Sequence, residues 1–259
     1  MKVILLAGGL GTRMREETEF RPKPMVEIGG KPALWHLMKL YAKYGHTEFI
    51  ICAGYKGEQI KNYFFNYHAL NFDLTVDLGR PNSAIFHGSH DEFDWRVTVV
   101  DTGRDTPTGG RVKAVERHVN DEPFMCSYGD SIAPVNLDAL LKAHAGASNV
   151  ATVTTTKPRS RFGVVRVDAD GQVVGFQEKP ISQDLVSIGH FVFEPEIFNF
   201  LEASSVLEEE PLKRLVDRGK LGSYEHDGFW QPMDTAHEFL TLNEHHDAQT
   251  GPWSSGAGS

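Results

Sequence analysis

Hydrophobic patterning begins with a continuous apolar run, Val3–Ala7, as expected of a parallel strand buried on both faces. Glycine and polar positions follow at once, and apolar residues then recur at helical spacing as Leu34, Leu37, Met38 and Tyr41. Pro32 suits the first turn of that helix, which is predicted to run to Tyr44 with Gly45 as its stop. The alternation continues. Strands are predicted at Glu48–Ala53, Asp73–Val76, 96–100, 123–128 and 149–155. Between them, helices are predicted at 58–67, carrying Tyr63, Phe64 and Tyr67 on one face, at 111–119, entered through Gly109 and Gly110, and at 136–145. Repeated strand–helix units imply a parallel sheet with helices on both faces. From about Arg161 the texture changes to short strands (163–167, 173–177, 191–193) with helical stretches at 195–201, 209–218 and 234–246. That pattern reads as an extension of the same sheet, not as a separate domain. The tail 249–259 is small, polar and expected to be mobile. No internal repeat is present.

Composition adds exclusions. The chain has 259 residues, enough for one large α/β domain, with 40% hydrophobic and 24% charged positions. A formal net charge of -9 argues against the broad basic surface that nucleic acid or an anionic membrane requires. An anionic small ligand needs only local positive charge. No stretch approaches the roughly 18–20 apolar residues of a membrane span. Val3–Ala7 is too short for a signal-peptide core, so a cytoplasmic protein is expected. Cys52 and Cys126 lie in apolar runs and read as buried free thiols, without metal-site spacing.

The candidate chemistry starts at the loop after the first strand. Gly8, Gly9 and Gly11 leave backbone N–H groups bare where open α/β sheets bind ligands, while Arg13, Arg15, Arg21, Lys23 and Lys31 supply positive charge. A tight turn with solvated basic residues accounts equally well for the glycines alone. A dinucleotide fingerprint fails, because Met14 stands at the third glycine. No stretch matches a P-loop.

The complete string decides between these readings. AGGLGTR, followed ten residues after Arg13 by Lys23-Pro24-Met25, resembles the sugar-nucleotide pyrophosphorylase family. Its continuation VEIGGKPALWHLMK is similar to the glucose-1-phosphate cytidylyltransferases within that family. The resemblance implies a Rossmann-like nucleotidyltransferase core with a mostly parallel mixed sheet flanked by helices, plus a C-terminal sugar-binding extension. It divides a single domain, 1–252, into a nucleotide-binding core (1–155) and the extension (156–252), with 253–259 as a flexible tail. It also implies a reaction in which a sugar 1-phosphate attacks the α-phosphorus of a triphosphate and pyrophosphate leaves. Such chemistry needs charge stabilisation more than covalent participation. The attacking phosphate is already ionised, so no general base is required.

By the same resemblance, Arg13 sits on the departing phosphates and Lys23 on the α-phosphate or between the two phosphoryl groups. Leu6, Gly8, Gly9, Gly11, Thr12, Thr108, Gly110 and Arg111 complete the nucleotide site, with Arg111 reading cytosine. Asp130 of Tyr128-Gly129-Asp130 and Asp234 of the GFWQPMDT segment would hold Mg2+, which accepts one or two carboxylates plus phosphate oxygens and water. Read alone, Asp130 also suits a turn and Asp234 a helix N-cap. Phe162, Gly163, Glu178, Lys179 and Ser187 are the expected sugar-phosphate contacts. One segment departs from the pattern, at three residues: the family's NGGFF is Ser187-Ile188-Gly189-His190-Phe191 here, with Ile188 and His190 bulkier than expected. The loss of an asparagine that reaches sugar hydroxyls leaves the sugar open.

The expected function is thus CTP-dependent transfer to a hexose 1-phosphate. The same chemistry with UTP, dTTP or an unusual sugar phosphate is one alternative. A non-catalytic sugar-nucleotide sensor is another, opposed by the joint presence of Lys23, Asp130 and Asp234. Relatives assemble, so a homo-oligomer is implied; Trp35, Phe64 and Phe65 suit either an interface or the core.

Overall fold

The computed structural model describes residues 1–11, 18–80 and 83–251. Seven strands form its main sheet: β1 (Val3–Ala7), β2 (Glu48–Ala53), β3 (Arg96–Asp101), β4 (Phe124–Tyr128), β5 (Ala151–Thr156), β6 (Val186–Phe193) and β7 (Leu221–Glu225). Their spatial order is β7-β5-β6-β4-β1-β2-β3. β1 pairs in parallel with β2 and β4, as does β2 with β3 and β5 with β7. Only β6 runs antiparallel, to both β4 and β5. The sheet is therefore mixed but mostly parallel, with one common carboxyl edge for the other six strands.

The continuous apolar runs are explained by two cores. Successive side chains of a strand point to opposite faces. Val3, Leu5 and Ala7 pack on one side with Leu34, Leu37 and Tyr41 of α1 (Ala33–Ala42). Ile4 and Leu6 pack on the other with Val112, Phe193 and Ile197. Gly45 adopts φ 77 just beyond α1, the stop its position predicted. Helices α2 (Gly57–Phe65) and α3 (Tyr67–Asn71) divide the single helix predicted at 58–67. Likewise α4 (Thr108–Ala114) begins earlier than expected, contains both glycines and gives way to a 3-10 turn at Glu116–His118. Further α-helices among the described residues are α5 (Leu137–Ala145), α6 (Glu210–Asp217) and α7 (Ala236–Asp247), and the stretch predicted at 195–201 is a 3-10 helix, Pro195–Phe200. Cys52 and Cys126 are buried free thiols; burial pushes the Cys52 thiol up to about 12.

The two longer antiparallel ribbons outside the sheet are Asp73–Val76 with Ala84–His87, and Val164–Val167 with Val173–Gln177. β6 is longer than the predicted 191–193 segment. Its pairing with β5 is irregular between Val153 and Thr155, and Gly189 there adopts φ 78 against the Tyr128 ring, where a Cβ would lie 2.2 Å from a ring carbon. Among the described residues no helix is long and apolar enough to cross a membrane.

Candidate active site

The carboxyl edge gathers the chemistry. β1 runs straight into Gly8, and β4 ends one residue before Gly129 and Asp130. A two-strand pairing of Ser131–Ile132 with Gln231–Pro232 then folds a distant segment back onto Asp130. The Met233 N–H donates to the Asp130 carbonyl at 2.9 Å, so Asp234 arrives beside Asp130 through backbone register. Asp234 is not the helix cap. Thr235 caps α7, accepting from Glu238 N, while a Glu238 carboxylate oxygen accepts from the N–H groups of Thr235 (3.0 Å) and Asp234 (2.9 Å). This reciprocal capping box holds the Asp234 backbone from below. Glu238 also pairs with Arg161 at 2.7 Å, tying the base of the second ribbon to the same helix.

Lys23 comes from the opposite wall. It opens the buried 3-10 turn Lys23–Met25, which follows an extended Pro22. Its Nζ donates to Asp130 Oδ2 at 2.8 Å and to Asp234 Oδ1 at 2.7 Å. The lysine side chain is 11% exposed, against 42% and 28% for the two aspartates. Burial works to lower the Lys23 pKa, but the two carboxylates outweigh it and hold the ammonium above the ordinary lysine value. These three residues share a cleft of about 480 Å³ with Leu6, Gly8, Gly9, Gly11, Thr108 and Arg111.

Arg111 forms the back of the cleft and is 4% exposed. One terminal nitrogen donates to Thr102 Oγ1 and the Gly103 carbonyl, both at 2.7 Å, and more weakly to the Ala53 carbonyl. The other donates to the carbonyls of Gly8 and Arg104 at 3.0 Å. The guanidinium fills the space that a side chain at residue 8 would need: a Cβ on Gly8 would lie 2.1 Å from Nη1. Gly8 is bare because Arg111 packs there, whereas a Cβ at Gly9 would meet only open space.

A profile of the family described as nucleotidyl transferase matches residues 2–248. The chain belongs to the nucleotidyl transferase family. It is 44% identical over 256 residues to the glucose-1-phosphate cytidylyltransferase of Salmonella typhi, with 98% of both chains covered. It is 41% identical over 254 residues to the probable glucose-1-phosphate cytidylyltransferase of Bacillus subtilis (strain 168), covering 94% of this chain and 95% of that one. Among solved structures, HddC from Yersinia pseudotuberculosis shares the fold with a TM-score of 0.68 at 19% identity, over 95% of this chain and 99% of that one. A UDP-glucose pyrophosphorylase complexed with UDP-glucose does so with a TM-score of 0.68 at 17% identity, over 96% and 98%.

In this nucleotidyl transferase the structure brings together Leu6, Gly8, Gly9, Gly11, Lys23, Thr108, Arg111, Asp130 and Asp234 of the predicted residues. Thr12 and Arg13 lie outside the described residues, as does the tail beyond residue 251. Gly110 does not line the cleft; its N–H donates to the Ser205 carbonyl, and a Cβ there would lie 2.2 Å from the Ala203 carbonyl oxygen. Thr108 Oγ1 donates to Glu208 at 2.8 Å and accepts from Leu207 N. Arg21 pairs with Glu27, and Lys31 bonds Asn71 over the Trp35 ring, so neither adds charge to the cleft lining. Phe162, Gly163, Glu178, Lys179 and Ser187 stand apart from the cleft lining. The first four flank the ends of the second ribbon, while Ser187 lies near the start of β6, opposite Thr155.

The sequence reading missed Pro24, Thr106, Pro107 and Tyr128 as lining residues. Tyr128 carries a signal of its own. Its buried hydroxyl has no hydrogen-bond partner among the described residues, and its ring lies against Gly189 of β6. His190 of the Ser187–Phe191 segment is turned away from the cleft. Its Nδ1 contacts Tyr41 Oη at 2.8 Å and Ser127 Oγ at 3.2 Å, deep in the core, and Ile188 packs in the same apolar cluster.

Proposed function

We propose that this nucleotidyl transferase joins CTP to a sugar 1-phosphate, with glucose 1-phosphate as the first candidate, releasing pyrophosphate by in-line attack on the α-phosphorus. The observation that carries the proposal is the convergence of Lys23, Asp130 and Asp234 at one point of the glycine-loop cleft. The choice of CTP and glucose 1-phosphate draws on relatives named for that pair at 44% and 41% identity. The inward turn of Ile188 and His190 also supports glucose. Two of the three departures from the expected motif pack into the core, and only Ser187 remains exposed at the sheet edge.

The residues also fit a divalent ion. Among the described residues no group of three or more metal-ligating side chains occurs, so any ion there depends on ligand oxygens as well. Two carboxylate oxygens nevertheless already share one cation, the Lys23 ammonium, and Mg2+ needs no more than two carboxylates beside phosphate oxygens and water. We assign Asp130 and Asp234 as the residues that would hold it. When bound, Mg2+ supplies positive charge to the phosphate oxygens that become more negative as pyrophosphate departs. Within the chain, Gly9 offers bare backbone to a phosphate, and Lys23 supplies charge to the α-phosphoryl oxygens. Arg111 holds the Gly8 carbonyl and so fixes the loop's direction. The sugar phosphate arrives ionised, so no side chain has to remove a proton.

In this reading 1–155 form the nucleotide-binding core and 156–252 the sugar side, with Phe162, Gly163, Glu178, Lys179 and Ser187 closing over the sugar phosphate. Exposed apolar residues on the two longer ribbons, such as Ile85 and Phe176, support assembly of a homo-oligomer, for which we propose a cytoplasmic location. A matrix of four triphosphates against several sugar 1-phosphates, scored by pyrophosphate release with Mg2+, tests the assignment. Turnover is expected for CTP with glucose 1-phosphate; faster turnover with UTP or dTTP would reassign the nucleotide. Lys23→Ala and Asp130→Asn should each lower kcat by about 100–1,000-fold or more, the scale on which lost transition-state charge stabilisation is measured. Their far-UV circular dichroism should stay that of the parent, and undiminished turnover in either variant would sink the site assignment.

A further inference from the structure

The Lys23 ammonium stands where a divalent ion would have to bind. It contacts one oxygen of Asp130 and one of Asp234, at 2.8 and 2.7 Å, in a setting where little solvent reaches it. A divalent ion on those oxygens would face the ammonium at close range, and like-charge repulsion opposes holding both cations there. We infer that Lys23 is the resident counter-ion of the carboxylate pair in the free enzyme, and that a divalent ion enters only when a nucleotide phosphate draws the ammonium away. This rests on the reading of Asp130 and Asp234 as the metal carboxylates.

The physical argument is one of exchange. Drawing Lys23 off the pair with nothing in return strands a buried ammonium and leaves two carboxylates facing each other, both unfavourable. A divalent ion alone repairs only the second fault. A triphosphate alone repairs only the first. Together they repair both, so ion and nucleotide must each tighten the other's binding by the same factor. Lys23 is then a relay as well as a phosphate ligand, and its place on a short turn flanked by Pro22 and Pro24 keeps it within reach of both roles.

The test reads metal binding, not turnover. Mn2+ is titrated into the nucleotide-free protein and followed by loss of the free-ion electron paramagnetic resonance signal. Lys23→Met removes the competing charge, so Mn2+ should bind at least about tenfold tighter than to wild type, a change of about 1.4 kcal/mol. Lys23→Arg keeps the charge and should stay as weak as wild type. Lys23→Gln repeats the first arm if the methionine variant melts early. Equal or weaker Mn2+ binding in both uncharged variants would overturn the inference while leaving the metal assignment standing. Adding Asp130→Asn to Lys23→Met should abolish the gain; a gain that survives would show that the ion binds elsewhere, and would overturn the assignment itself.

Discussion

Arg111 shows how far a single side chain can be read in advance. The family resemblance of Thr108-Gly109-Gly110-Arg111 pointed to the nucleotide site, and the Arg111 side chain does line the cleft. What no local pattern contains is the set of partners: a hydroxyl and the carbonyls of Ala53, Gly103, Arg104 and Gly8, drawn from three separate loops. Burial lowers its pKa somewhat, with Cys52, Asp101 and Asp105 opposing, but a guanidinium stays charged. Lysine has no planar fork with which to serve diverging carbonyls. Arg111→Lys is therefore expected to cost at least about 2 kcal/mol in urea denaturation, from buried acceptors left unpaired. It should also raise KM for the triphosphate, because the Gly8 carbonyl loses its anchor. An unchanged midpoint and KM would mean the clamp is dispensable. Lys23, Asp130 and Asp234 were legible because their motifs are specific; their contact with one another was not, because it depends on backbone pairing across more than a hundred positions.

At the level of elements, the buried strands were readable and the edges were not. β1 and β2 match their predicted limits because both faces are covered and every position after the exposed Glu48 that opens β2 is buried and apolar. β7, LGSYE, escaped notice: it is an edge strand with few strand-forming residues, and pairing with β5 alone puts it in the sheet. The long helix predicted through 111–119 stops at Ala114 because its last turn tightens to 3-10 geometry. The start of α7 shows how an element serves the site. The capping box of Thr235 and Glu238 holds the Asp234 N–H, so a change at the cap should reach the cleft. Thr235→Ala is expected to cost about 1 kcal/mol in stability. The same variant should raise the Mg2+ concentration needed for half-maximal turnover while leaving KM for the sugar phosphate near its parent value. Should only stability respond, the cap and the carboxylate are uncoupled.

Across the whole molecule, two buried histidines set an acid limit. His36 is lowered to about 4, chiefly by burial with His246 and Lys31 adding and the Ile28 carbonyl opposing; His190 is lowered to about 3 by burial and then His226. In the folded chain both stay neutral where the unfolded chain, with an ordinary histidine pKa of about 6.5, takes up protons. Stability is therefore complete above about pH 6.5 and falls as pH drops toward 4, by up to about 1.4 kcal/mol per pH unit for each site. Urea midpoints measured from pH 7.5 to 4.5 should show this slope. His190→Gln, which keeps a partner for Tyr41, should flatten it, and a slope identical in wild type and variant would remove His190 as a cause. The sheet order carries a last consequence, for synthesis. β6 lies between β4 and β5, yet it is made after both. A chain still on the ribosome therefore carries β5 with neither of its partners, and β4 with a bare edge toward it, until Phe193 has emerged. During that interval two apolar edges are open to foreign strands. Arrival of one antiparallel strand covers both of these edges, and the outer edge of β5 then waits for β7, so the exposure of this enzyme's sheet ends in two steps, at Phe193 and at Glu225.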